Sequence, residues 1–117
     1  MLTYAPVDGG AALHALADSR RRAILRLVRD QERPSGEIAA QFPDVTGPAI
    51  SQHLRVLREA GLVAERRAGT RRLYRANPDG LAELRAWLRD FWDEGLSQLK
   101  VAAEDEQQRK GGPRGGQ

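Results

Sequence analysis

Arginine is the residue type whose distribution in this chain indicates a chemistry. Between residues 20 and 75 the sequence carries 13 arginines and 6 acidic residues, a formal charge of +7, whereas the segments before and after each sum to −2. A planar guanidinium donates paired hydrogen bonds to phosphate oxygens and to guanine edges. The middle of the chain therefore predicts an anionic partner, and nucleic acid is the first candidate.

Polar side chains on one predicted helix are placed to read the edges of bases. Ser51, Gln52 and Arg55 fall on the face opposite the apolar positions of that helix, which are Ile50, Leu54 and Leu57. Hydroxyl, amide and guanidinium groups form hydrogen bonds with base edges in the major groove of DNA. For Gln52, simple exposure to solvent explains the residue equally well.

A glycine turn brings a second set of arginines together. Arg67 and Arg71 flank Ala68-Gly69-Thr70, which predicts the tip of a β-hairpin with Gly69 at positive φ. These arginines are predicted to enter a minor groove or to neutralise phosphates; the alternative is a solvated turn kept polar against aggregation. Thr46 has two compatible predicted roles, a phosphate contact through its hydroxyl and an N-terminal cap of the helix.

The elements that position these groups follow from the spacing of apolar residues. The pattern predicts a mainly α fold with a β-hairpin wing, in the order α-α-α-α-β-β-α. The two strands are predicted at Val63 to Arg67 and Arg71 to Arg75. The helices are predicted at Ala11 to Ala17 after a flexible Gly9-Gly10, in the segment that follows a cap at Asp18 or Ser19, and at Ser35 to Phe42, Thr46 to Ala60 and Asp79 to Ala103. Ser35 is the predicted N-cap of the third helix, and Gly61 the C-terminal stop of the fourth.

The third and fourth helices, with the short turn between them, predict a helix-turn-helix. In DNA-binding proteins this motif places its second helix in the major groove. Two short helices also pack in this way in proteins that never contact DNA, so an ordinary helical corner is the alternative. The arginine-rich hairpin that follows favours DNA binding, because a wing at this position lies beside the phosphates.

The long final helix carries an apolar stripe at three- and four-residue spacing. Its members are Leu81, Leu84, Trp87, Leu88, Phe91, Trp92, Leu96 and Leu99. A helix that covers the core of its own domain would show the same stripe. A chain of 117 residues leaves little core for so long a helix, so a two-fold interface between copies is the favoured interpretation.

Composition excludes several other classes of protein. The chain has no Cys, which excludes disulfides, thiolate metal sites and cysteine nucleophiles. It has neither an apolar run of about 20 residues nor a signal-peptide pattern, so a cytoplasmic location is expected. Neither a Walker-type glycine loop nor a His-Glu helix motif occurs, so we expect no enzymatic activity and no cofactor.

Residues 1–104 are predicted to form one domain and 105–117 a disordered tail.

Two runs of the sequence resemble the signatures of ArsR-type winged-helix repressors. They are LADSRRRAIL at residues 16–25 and GPAISQHLRVLREAGLV at residues 47–63, and the resemblance extends from about Leu13 to Leu99. It implies a dimer held together by the first and last helices, a recognition helix matching Pro48 to Ala60, and repression by occupancy of operator DNA.

The resemblance completes the set of predicted site residues. The DNA-contacting set is Thr46, Pro48, Ala49, Ser51, Gln52, His53, Arg55, Arg67, Thr70 and Arg71. The dimer interface is Leu13, Leu16, Leu84, Trp87, Leu88 and Phe91. Two recognition helices related by a two-fold axis would meet half-sites about 34 to 36 Å apart, or a multiple of that distance, on an inverted repeat.

The sequence departs from the ArsR pattern where specificity and metals are concerned. Many relatives have Ser-Gln or Ser-Arg where this chain has Thr46-Gly47, so one base-reading side chain is missing. The ligand sets of metal sensors, a cysteine pair near the third helix or a histidine with carboxylates on the last helix, are also missing. The two histidines, His14 and His53, lie on different predicted helices, and DNA contact or helix packing is expected of His53 rather than metal binding. The charge run of Asp90, Asp93 and Glu94 fits a solvated helix face better than an oxygen site for a cation, and no metal is expected.

The final helix is similar to that of a subgroup without metal ligands, and several members of that subgroup repress their own genes. The resemblance therefore implies that this protein also represses its own gene. The predicted function is a homodimeric repressor that binds double-stranded operator DNA, with its effector undetermined. The alternative is a winged helix whose basic face docks an acidic protein. The run Arg20-Arg21-Arg22 either contacts the DNA backbone or includes an arginine that braces the domain by pairing with an acid such as Glu59.

Overall fold

The computed structural model describes residues 7–109 and confirms a mainly α fold with a β-hairpin wing. The elements are α1 (Gly9–Leu16), α2 (Ser19–Leu27), β1 (Arg33–Pro34), α3 (Ser35–Ala40), α4 (Gly47–Glu59), β2 (Val63–Ala68), β3 (Arg71–Ala76) and α5 (Pro78–Arg109). The chain divides into two compact units, one ending at Arg85 and the other beginning at Ala86. The first holds α1 to α4, the sheet and the start of α5; the second is the remainder of α5.

Short polar side chains start three of the helices. Asp8 accepts hydrogen bonds from the backbone N–H groups of Gly10, at 2.9 Å, and Ala11. The prediction that Gly9 and Gly10 form a flexible entry is therefore wrong, because the Asp8 carboxylate satisfies the free N–H groups of a helix that already begins at Gly9. Thr46 caps α4, as expected.

Asp18, rather than Ser19, caps α2 through the backbone N–H groups of Arg20 and Arg21. Burial by itself would raise the pKa of the Asp18 carboxyl, but these two N–H donors together with the nearby charge of Arg21 hold that pKa below its ordinary value. A carboxylate at a helix N-terminus is stabilised by hydrogen bonding to its charged form. The charged cap therefore holds the start of the helix that carries the first arginine run.

Helix α3 is shorter than predicted, and its cap differs. Ser35 is its first helical residue, and the N-cap position is Pro34, which makes no side-chain cap hydrogen bond. The helix ends at Ala40 instead of Phe42. Pro34 fits this position because its fixed φ suits the entry to a helix and it has no N–H to satisfy.

The end of α4 follows the predicted glycine stop. The N–H of Leu62 donates to the carbonyl of Leu57, and that of Gly61 donates to the carbonyl of Arg58, both at 3.0 Å. Gly61 has φ of 80°, so this is the Schellman arrangement that glycine favours. Leu57 and Leu62 are both fully buried.

The wing is part of a three-stranded antiparallel sheet with the order β1-β3-β2. The hairpin turns at Gly69, which has φ of 64°, as its sequence predicted. The pairing of Arg33 with Tyr74 and of Pro34 with Leu73 adds the edge strand β1, which sequence analysis missed. Proline has no N–H to donate to a neighbouring strand. An edge strand tolerates it because one side of that strand forms no hydrogen bonds with the sheet.

The core lies within the first unit and is assembled from α1 to α4, the sheet and the first turns of α5. Its largest fully buried side chains are Ile24, Val28, Ile38, Ile50, Leu54, Leu57, Leu62 and Val63. Leu84, which the sequence placed in the dimer interface, is also buried in this core. Helix α5 then continues to Arg109, six residues beyond the predicted end at Ala103. The part of the predicted tail after Arg109 lies outside the described residues.

A close backbone contact joins the end of α4 to the start of α5. The Asn77 side-chain amide donates to the carbonyl of Gly61 at 3.0 Å, and the Asn77 backbone N–H donates to Leu62. Beside it, a Cβ added to Gly80 would stand 2.0 Å from the Gly61 carbonyl oxygen. Gly80 is therefore required by packing, although glycine weakens a helix.

We expect Gly80→Ala to lower the free energy of unfolding by about 1 to 3 kcal/mol, because the new methyl group overpacks a rigid backbone contact. The matched control is Gly36→Ala, where an added Cβ meets nothing within 4 Å and no loss is expected. Urea unfolding of the two variants measures both values. Equal stability of the two alanine variants would show that the Gly61 contact is not a packing constraint.

Candidate nucleic-acid interface

The predicted base-reading side chains share one exposed face of α4. Ser51, Gln52 and Arg55 are exposed, while the opposite edge of the helix is buried in the core through Ile50, Leu54 and Leu57. Arg55 forms an exposed ion pair with Glu59 one turn later, its Nε lying 3.1 Å from Oε1. Exposed pairs of this kind contribute little to stability, so Arg55 is available to another anion.

The start of α4 is exposed at Thr46 and Pro48 and half-buried at Ala49. The Thr46 hydroxyl accepts a hydrogen bond from the Ala49 backbone N–H at 3.3 Å. Capping, the safer of the two predicted roles of Thr46, is thus present, and the residue remains exposed beside the polar face of the helix.

His53 lies on a different side of α4 from these residues. The side chain is half-buried, and its Nδ1 atom is buried without a hydrogen-bond partner among the described residues. The ring lies close to the carboxyl group of Asp18, the cap of α2. This environment favours helix packing, one of the two roles predicted for His53, over contact with DNA.

The wing tip presents the second predicted group of residues. Arg67, Thr70 and Arg71 are all exposed. Arg71 has one distant ion-pair partner, with 3.9 Å between its Nη2 and Oε2 of Glu37. Within residues 7–109, Arg67 has no ion-pair partner. Its full positive charge is therefore free to meet a phosphate.

The Arg20-Arg21-Arg22 run mainly holds α1 and α2 together. Arg20 pairs with an acid, as one of the two alternatives expected, but that acid is Asp44; Glu59, the example named above, pairs with Arg55 on its own helix. Arg21 Nε donates to the Ala15 carbonyl and Arg22 Nη1 to the Leu16 carbonyl, each at 2.7 Å. These carbonyls are among the groups that the end of α1 leaves without intrahelical partners.

A bidentate ion pair fixes the wing to the segment before β1. The Arg66 guanidinium donates from Nε and Nη2 to the two oxygens of Glu32, at 2.6 and 2.7 Å. The Arg66 hydrogen bonds hold the pKa of Glu32 below its ordinary value, against the smaller opposing effect of burial. Sequence analysis missed this pair because its members are 34 positions apart and no local pattern links them.

A second ionic cluster joins α4 to the wing. Glu65 of β2 accepts a hydrogen bond from Arg58 of α4 at 2.8 Å, and its other oxygen lies 3.7 Å from Arg72 of β3. The cluster borders a cleft of about 330 Å³ between the exposed face of α4 and the wing. Ser51 and Arg55 line the same cleft, so the ionic cluster adjoins two of the predicted base-reading side chains.

Helix residues 86–109 carry an exposed apolar surface. Its members are Trp87, Leu88, Phe91, Trp92, Leu96, Leu99 and Val101. The rings of Trp87 and Phe91 stack with 5.6 Å between their centroids, and Phe91 is still 62% exposed. In the first unit, Leu13 of α1 is exposed and Leu16 half-buried. An apolar surface of this extent is unusual on a protein that stays alone in water.

Acidic and histidine side chains do not gather into a metal site within residues 7–109. Asp90, Asp93 and Glu94 are exposed on α5, as expected for a solvated helix face. In the same part of the chain, no helix is both long enough and apolar enough to cross a membrane.

Known proteins similar to this chain are regulators of transcription. A family profile described as a helix-turn-helix domain matches residues 16–66. The HTH-type transcriptional regulator Rv2034 of Mycobacterium tuberculosis is 47% identical over 97 residues, covering 83% of this chain and 88% of the relative. The transcriptional repressor SdpR of Bacillus subtilis is 32% identical, covering 73% and 93% of the two chains.

A solved structure shows the same architecture. It is the homodimeric winged helix-turn-helix DNA-binding domain Mb0332 of Mycobacterium bovis, described as a possible ArsR-family regulator. It is 35% identical, covers 73% of this chain and 78% of its own, and superposes with a TM-score of 0.58.

The Glu32–Arg66 pair predicts a defined pH dependence of stability. Because the folded-state pKa of Glu32 is lowered, the pair stabilises the fold fully above the ordinary carboxyl pKa, and this contribution is lost as pH falls through the lower folded-state value. We expect Glu32→Gln to lower the melting temperature at neutral pH and to melt like the original chain in acid. A melting difference that persists unchanged in acid would show that the charge of Glu32 is not its source.

Proposed function

Because this chain belongs to the ArsR family of winged helix-turn-helix transcriptional regulators, we propose that it represses transcription as a homodimer bound to an inverted-repeat operator. Membership makes it a DNA-binding transcription factor and not an enzyme. We also propose that it binds its operator as a dimer, represses its own gene and acts in the cytoplasm.

The observation that carries the proposal is the combination of an exposed polar face on α4 with exposed arginines at the tip of the wing. The core fixes α4 so that Ser51, Gln52 and Arg55 point away from the protein. In the major groove these groups would form hydrogen bonds with base edges and give sequence preference. The wing arginines, Arg67 and Arg71, would neutralise phosphates next to the same groove and set the register.

The first turn of α4 has a supporting part in this arrangement. Recognition helices contact base edges chiefly through their N-terminal residues. Pro48 and Ala49 would supply small apolar contacts there, and the exposed hydroxyl of Thr46 would reach a phosphate while capping the helix. Thr70, at the tip of the wing, would lie beside the DNA phosphates.

The apolar surface of residues 86–109 is proposed as the main dimer contact. A second copy of the same surface would bury Trp87, Leu88 and Phe91. Leu13 and Leu16 of α1 are also proposed to take part in the dimer interface. Leu84, buried in the core of the first unit, would contribute to the dimer only indirectly. The two-fold axis would place the recognition helices about 34 to 36 Å apart, or a multiple of that distance, to match the two halves of an operator.

The contribution of the wing is tested by removing both of its tip arginines. Each phosphate contact steepens the fall of log affinity with log salt by about 0.9, so Arg67→Ala with Arg71→Ala should flatten that slope by up to about twice this amount. The slope is measured by titrating salt into the complex with duplex DNA, with binding monitored by fluorescence anisotropy. Arg89→Ala on α5 is the control and should leave the slope unchanged. An unaltered slope in the double variant would remove the wing from the mechanism; absence of duplex binding by the original chain would favour an acidic protein partner.

The dimer contact is tested by placing a charge in the middle of the apolar surface. Phe91→Asp should yield monomers in sedimentation experiments and weaken operator binding by at least about tenfold, because a buried unpaired carboxylate costs more than the contact supplies. Ala86→Asp adds the same charge on the opposite side of the helix and should leave the dimer intact. A dimer that survives Phe91→Asp would place the interface elsewhere.

A further inference from the structure

A carboxylate lies inside the basic surface that is proposed to face DNA. Glu65 is on β2, directly across from Tyr74 on β3, and its side chain is only 20% exposed. It lines the cleft that also includes Ser51 and Arg55 of α4. An acidic side chain in this position repels phosphate, so binding strength alone does not explain it.

The two oxygens of Glu65 engage arginines from two different elements. Oε2 accepts the hydrogen bond from Nη1 of Arg58 on the recognition helix, and Oε1 faces Nη1 of Arg72 on the wing. Both arginine side chains are more exposed than the carboxylate between them. The cations therefore lie at the surface, where DNA would approach, and the anion lies beneath them.

Tyr74 does not change the charge of this group at neutral pH. Burial first, and the neighbouring Glu65 carboxylate second, raise the pKa of the Tyr74 hydroxyl above its ordinary value, so the ring remains neutral. The cluster of Arg58, Glu65 and Arg72 thus carries one net positive charge, and without the carboxylate it would carry two.

We propose that Glu65 restrains Arg58 and Arg72 from sequence-independent phosphate contacts, and so increases the preference of the protein for its operator over other DNA. Phosphate contacts supply nearly all non-specific affinity. An arginine that must first leave Glu65 gains less from a phosphate than a free arginine does. On operator DNA, the base contacts of Ser51, Gln52 and Arg55 would hold α4 against the duplex and offset that cost.

Arg67 provides the internal comparison. It is exposed and has no ion-pair partner within residues 7–109, whereas Arg72 shares Glu65 with Arg58. Both arginines belong to the same hairpin. The inference therefore predicts two classes of wing arginine, one that contacts any duplex and one that is held back from it.

Glu65→Gln tests the inference directly, because it keeps the shape of the side chain and removes the charge. On a random-sequence duplex, the salt slope should steepen by about 0.9 for each released contact, and affinity at about 0.1 M salt should rise roughly five- to tenfold per contact. On a duplex selected from a random pool by the original chain, affinity should rise less, so the ratio of the two affinities should fall. Glu83→Gln on α5, the same chemical change away from the cluster, should alter neither.

Weaker binding of Glu65→Gln to both duplexes, or an unchanged slope, would overturn the inference and leave Glu65 as a simple brace between α4 and the wing. Should Glu65→Gln fail to fold, Arg72→Gln and Arg67→Gln in the original chain give an independent answer. The inference expects Arg72→Gln to flatten the non-specific slope less than Arg67→Gln does, and equal flattening contradicts it.

The inference rests on the proposed function, and the two fail in different ways. An original chain that binds no duplex in dilute salt overturns the proposed function and this inference together. An original chain that binds duplex with a steep slope, while Glu65→Gln matches it, overturns only the role of Glu65.

Discussion

The orientation of α4 depends on the burial of one edge of that helix. Ile50, Leu54 and Leu57 are each no more than 2% exposed, and a rotation of the helix would bring them into water at a cost of about 1.5 to 3 kcal/mol for each side chain. The Thr46 cap and the Gly61 stop fix the two ends of the helix. The outward direction of Ser51, Gln52 and Arg55 is therefore a consequence of the core.

The arginines in the middle of the chain have two roles: some stabilise the domain, and others stay exposed at its surface. Arg21 and Arg22 complete the end of α1, and Arg66 attaches the wing to Glu32. Arg67 and Arg71 stay exposed at the wing tip. A net charge of +7 over this segment thus overstates the charge that is free to meet DNA, because part of it is already paired within the domain. Paired arginines give the surface its shape, and the free ones give it attraction for phosphate.

Most features that depend on residues close in sequence were predicted, although the Asp8 cap of α1 and the start of α3 after Pro34 were not. Features that depend on distant partners were missed. The Thr46 cap, the Gly61 stop and the Gly69 turn each follow from a few neighbouring residues, and the helical period placed Ser51, Gln52 and Arg55 on one face. Strand β1 exists only because β3 pairs with it, and the partners of Glu32, Asp44 and Glu65 come from other elements. The surroundings of His53 also depend on a second helix. Charge balance along the chain indicated a basic surface but gave no signal for which arginines are tethered.

The most direct test of this account is a map of the backbone amides that shift when the isotope-labelled chain is titrated with the duplex it selects from a random pool. The account predicts that the largest shifts fall in the first half of α4 and at residues 67–71, with one duplex bound by two copies of the chain. Shifts confined to residues 86–109, or no shifts even in dilute salt, would contradict the claim that the exposed face of α4 and the wing together grip DNA.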